Sequence, residues 1–147
     1  MRLNLKIITP TILIIYFLLG IYLSINTGIS HDEFHEQLNW EIHIKAIYEF
    51  FKSGSYDNLL NYKDRYHGVG FHLFSQPFQY IFSTPISEYL VISKYGGILL
   101  SKHIATFIIF FVSGLFFYKI CRLLINNNLF CNLSILFYLF YPYLFGH

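Results

Sequence analysis

Residues 7–25 carry no charge. As a helix rising 1.5 Å per residue, this run would be about 28 Å long, close to the roughly 30 Å hydrocarbon core of a bilayer. It exceeds the h-region of a secretory signal, about 7–15 residues, and Tyr22-Leu23-Ser24-Ile25-Asn26 is a poor cleavage site. The run therefore reads as a retained membrane anchor. Composition agrees: 55% of the 147 residues are hydrophobic and only 12% are charged, against about 25% charged in a typical soluble domain.

Two further apolar stretches follow. One is expected over residues 98–120, with Lys102 and His103 near one end and Lys119 and Arg122 closing the other. Lys102 is expected to snorkel towards water. The other is expected over residues 129–145, despite Asn132, Ser134 and Pro142, whose polar groups neighbouring helices can satisfy. The turn around Asn126-Asn127-Asn128 makes these two an antiparallel hairpin. The fold class is thus all-α, a single multi-pass membrane domain over residues 1–147 with three spans.

Arg2 and Lys6 precede the first span, and Lys119 and Arg122 lie in the short second connection. The excess of Lys and Arg on cytoplasmic segments places both inside. Residues 26–97 then form an outer loop, which holds all eight carboxylates of the chain. No N-glycosylation sequon occurs in that loop, in keeping with a bacterial inner membrane rather than the ER. A net charge of +2 gives no argument for nucleic acid. Cys121 and Cys131 lie in apolar surroundings and read as buried thiols.

The loop is rich in Tyr, Phe and Ile, which disordered segments lack. Ser30-His31-Asp32-Glu33 fits a capping box, with Ser30 at N-cap and Glu33 at N3. The spacing predicts a helix from His31 to about Lys52, stopped by Ser53-Gly54. Phe34, Leu38, Ile42, Ala46, Ile47, Phe50 and Phe51 form its apolar face, to be laid on the bilayer or under other parts of the protein. Gly68 and Gly70 mark a tight turn. Residues 73–82, with Pro77 inside, read as a short interfacial helix or turn, and Pro85 with Ser87-Glu88 restarts a helix leading into the second span.

Asp32 and Glu33 are the strongest chemical feature. Glu33 has a structural explanation in the capping box, and any carboxylate in a first helical turn gains about 0.3–1 kcal/mol from the helix dipole. Asp32 has no such complete account. At the exit of a span, a carboxylate can meet a substrate hydroxyl or a metal ion carried by a lipid phosphate. His31 and His35, four apart, also match the zinc-ligand spacing of metalloproteases, with Asp32 where the glutamate would stand. The third ligand would come from Glu36, His67 or His72.

Three motifs occur in one order: Gly28-Ile29-Ser30-His31-Asp32-Glu33 after the first span, Lys102-His103 opening the second, and Tyr141-Pro142-Tyr143-Leu144-Phe145-Gly146-His147 at the end. In this the chain resembles the N-terminal part of C-class membrane glycosyltransferases of the protein O-mannosyltransferase type. Tyr143 stands where those proteins carry arginine. The resemblance implies transfer, with inversion, of a sugar from a polyprenyl-phosphate donor to a hydroxyl of a protein, lipid or glycan. It implies Asp32 as base or as ligand to a divalent cation, Mg or Mn, and Glu33 as its companion. His103 is a candidate contact to the lipid phosphate or a packing residue, and Arg65 either pairs with that phosphate or with Asp64 or Glu88. The resemblance further implies that these residues belong to a longer enzyme and are inactive alone. A non-catalytic membrane assembly subunit is the competing class, and a zinc-dependent membrane protease a third.

Overall fold

The computed structural model describes residues 5–141, and every regular element among them is a helix. In chain order these are α1 (Leu5–Asn26), α2 (His31–Ser53), α3 (Asp57–Leu60), α4 (Gly70–Leu90), α5 (Lys94–Leu124) and α6 (Asn128–Phe140). The described residues fall into two compact units, one made of 5–24 with 106–141, the other of 25–105.

α1 and α5 are long and apolar enough to cross a membrane. α6 is not: its 13 residues extend about 20 Å at 1.5 Å each, short of the roughly 30 Å needed. Among the described residues, the helix of the third span expected over 129–145 runs to Phe140. Residues 142–145 of that span, with the rest of the Pro142–His147 end of the family resemblance and Arg2, lie outside the described residues.

The first unit is held by aromatic packing. Tyr16, Phe107, Ile135 and Leu139 form its buried core, and Tyr16 donates its hydroxyl proton to the Leu139 carbonyl at 2.7 Å. Gly20 is required here, because a Cβ would stand 2.0 Å from the Phe107 ring. Polar groups between the helices are satisfied in pairs. Tyr118 donates to Asn132 at 2.9 Å, and the Ser113 and Tyr138 hydroxyls share a bond of 2.9 Å. Asn127 caps α6 by accepting from the Leu129 N–H at 2.9 Å. Cys121 and Cys131 are buried free thiols, as their surroundings in the sequence imply.

In the second unit α2 has the bounds its capping signals predict. Glu33 closes the capping box by accepting the Ser30 N–H at 2.8 Å. Gly54 ends the helix in the left-handed region, φ 73°, and donates to the Phe50 carbonyl. Most of the predicted apolar face is turned outward, with Ala46 buried and Ile42 half-buried. Phe34, Leu38, Ile47, Phe50 and Phe51 are exposed, whereas Gln37, Asn39, Trp40 and Ala46 are buried.

Two expectations are corrected. α4 is one unbroken helix through both Pro77 and Pro85, not a short element followed by a restart. Both prolines lie on its exposed side, so each removes a backbone bond there without disturbing the buried stripe. α5 begins at Lys94 rather than near residue 98. Ser93 starts it by accepting the Gly96 N–H at 3.1 Å, an N-cap contact. Gly97 in its first turn lies against α4, where a Cβ would meet the Ser83 carbonyl oxygen at 2.2 Å.

Candidate functional site

The site is assembled within residues 25–105, from the segment leaving α1, the first turns of α2 and the first half of α5. Glu33 uses both carboxylate oxygens. Oε1 accepts the Ser30 N–H, and Oε2 lies 2.8 Å from His103 Nε2. His103 in turn places Nδ1 2.9 Å from the Thr27 hydroxyl. A carboxylate only accepts, so in neutral His103 the proton sits on Nε2 and Nδ1 accepts from Thr27. Thr27, His103, Glu33 and Ser30 thus form one hydrogen-bonded chain. It joins the end of α1, the start of α2 and α5.

Asp32, next in sequence, is exposed. It makes no hydrogen bond or ion pair with any described residue. The adjacent acids are thereby divided: Glu33 is committed to structure, and Asp32 remains open to a ligand in the first turn of a helix.

Lys102 sits beside His103 and is only 5% exposed. The expected snorkelling is not seen. The Glu36, Glu33 and Glu41 carboxylates of α2 lie within electrostatic reach of its amine, and this acidic side of α2 offsets part of the cost of burying the charge. On α4, His72 is also buried and is stacked on Trp40 at 5.4 Å between ring centroids. Burial, and secondarily the charge of Lys102, pull its imidazole down to about 4. His72 Nδ1 has no hydrogen-bond partner among the described residues. Trp40 donates its indole N–H to Gln76 at 3.0 Å, which ties α2 to α4.

Arg65 is not drawn into this cluster. Its guanidinium lies 4.7 Å from the Tyr66 ring centroid and donates to the Tyr62 carbonyl at 3.4 Å. Of the pair at zinc spacing, His35 faces Asp64 at 3.2 Å, with the His67 ring edge-on at 6.2 Å. Among the described residues no group of three or more His, Cys, Asp or Glu side chains gathers in a way that could hold a metal ion. The described residues do not by themselves fit a metal centre at Asp32.

Thr27, Lys102 and His72 were not singled out by pattern in the roles they take here. Their signals are weak in a sequence. Thr27 is one hydroxyl in a linker, and Glu33 and His103 stand 70 residues apart. Compared with known protein families, with curated proteins and with solved structures, the chain matches none.

Proposed function

We propose that this chain is the acceptor-activating part of a membrane glycosyltransferase that takes its sugar from a polyprenyl-phosphate donor. The reading is supported above all by the division of the acidic pair. Glu33 is bonded through both oxygens, which anchors the first turn of α2, and Asp32 is left exposed beside it. Transfer with inversion is a single displacement at the anomeric carbon. Asp32 takes the proton of the attacking hydroxyl as the new C–O bond forms and the bond to phosphate breaks. In this reading His103, bonded to Glu33 beside Asp32, is the contact to the departing phosphate. Arg65 has no part in this version of the site.

General-base assistance is worth about 10²–10⁴-fold in rate. Asp32→Asn in the intact protein is therefore expected to lower sugar transfer by about that factor while membrane insertion is unchanged. Transfer at the original rate would sink the assignment of Asp32.

A further inference from the structure

α4 is built inside out for a helix in water. Its buried stripe is polar: His72, Ser75, Gln79 and Ser83, ending in Ile86. Its outward side carries Leu73, Phe74, Ile81 and Tyr80, the last 88% exposed. An amphipathic helix beside water shows the opposite arrangement. No Lys, Arg, Asp or Glu occurs from residue 70 to residue 87. The buried side approaches α5 through small groups, with the Ser83 carbonyl so near Gly97 that no side chain fits between them. Close contact through Gly and Ser, with apolar residues facing outward, is how helices pack where lipid replaces water.

Connectivity keeps α4 near a bilayer. Only residues 91–93 separate it from α5, one of the two helices among the described residues that are long and apolar enough to cross a membrane. Three residues reach at most about 11 Å. Beside the exposed side runs an apolar groove of about 680 Å³ between α2 and α4, lined by Trp40, Ile44, Leu73, Pro77, Tyr80 and Ile81 among others.

We propose that the outward face of α4 lies in the hydrocarbon edge of the bilayer and that the groove seats the acyl chain of a membrane phospholipid. The segment linking the spans is then partly a membrane-embedded element rather than a wholly aqueous loop. Its polar stripe faces inward because its outward environment is lipid. This inference goes beyond the transferase reading and does not depend on what Asp32 does.

The test uses the intact protein in phosphatidylcholine–phosphatidylglycerol vesicles, in which one acyl chain carries bromine, a contact quencher of indole. Trp40 is the single tryptophan, so Trp40→Phe provides a silent background. Tyr80→Trp in that background is expected to lose most of its emission in brominated vesicles and to resist aqueous iodide. Tyr66→Trp, in the polar segment between α3 and α4, is expected to do the reverse. Quenching of position 80 by iodide would overturn the proposal. So would protection of position 80 from both quenchers, which would place protein over the face. Leu73→Cys gives an independent measurement if Trp40→Phe disturbs folding. A water-soluble maleimide is expected to leave it unlabelled in vesicles and to label it after detergent denaturation. Labelling in intact vesicles would overturn the proposal.

Discussion

Glu33 Oε2 stands 2.8 Å from His103 Nε2 and joins the first turn of α2 to α5 across 70 residues of sequence. Both side chains are about one-fifth exposed, so the pair is screened less than a surface salt bridge. Removing both groups should cost less than the sum of removing each. In a double-mutant cycle of Glu33→Ala and His103→Ala, the coupling is expected to be about 0.5–2 kcal/mol, read from thermal or denaturant unfolding in detergent.

The acidic pair should separate by stability as well as by activity. Glu33→Ala removes a capping-box acceptor and the His103 contact, and is expected to destabilise by about 1–3 kcal/mol. Asp32→Ala loses only its favourable position in the first turn, about 0.3–1 kcal/mol. The same unfolding measurement ranks the two, and an equal or reversed order would contradict the geometry.

Val91 ends α4 in the left-handed region, with φ 55° and ψ 45°, and is almost fully exposed. A β-branched residue there is strained by about 1–2 kcal/mol. Val91→Gly relieves that strain but gives the unfolded chain about 0.4–1 kcal/mol more freedom to lose. The net expectation is a gain of about 0.5–1 kcal/mol, visible as a raised melting temperature. At Gly97 the expectation has the opposite sign. Gly97→Ala drives a Cβ into the Ser83 backbone and should cost at least about 1–3 kcal/mol. Gly68→Ala, with nothing within 4 Å, serves as the neutral control.

His72 makes the second unit sensitive to acid. Its imidazole titrates near 4 in the fold, pulled from 6.5 by burial and by Lys102, so the unfolded chain binds the proton more readily. Stability contributed by neutral His72 is full above about pH 6.5 and falls as the pH drops towards 4. The loss by pH 4 is on the order of 2–3 kcal/mol. His72→Gln should flatten the pH dependence of unfolding across this window.

What could be read from the residues was whatever local chemistry declares. Ser30, Glu33 and Gly54 announce the two ends of α2, and the charge-free runs announce α1 and α5. Pro77 and Pro85 misled because a proline breaks a helix only where the lost bond cannot be spared, and which side each faces is set by packing. The outward turn of Phe34, Leu38 and Phe50 was equally hidden. Periodicity finds an apolar stripe but does not say whether protein or lipid lies against it. At the site, Asp32 and Glu33 were legible as a pair, and their division rests on His103, a long-range partner with no local signature. Arg65 lies with its neighbours Tyr62 and Tyr66, contacts that its charge in the sequence does not announce.

The stacking of Trp40 on His72 gives this interior an optical readout. A protonated imidazole in contact with an indole drains its excited state, while a neutral one does so far less. The sole tryptophan of the chain therefore touches the group whose proton is governed by burial and by Lys102. A molecule seated in the groove between α2 and α4 that Trp40 lines is therefore expected to change the brightness of that one ring, with no added label.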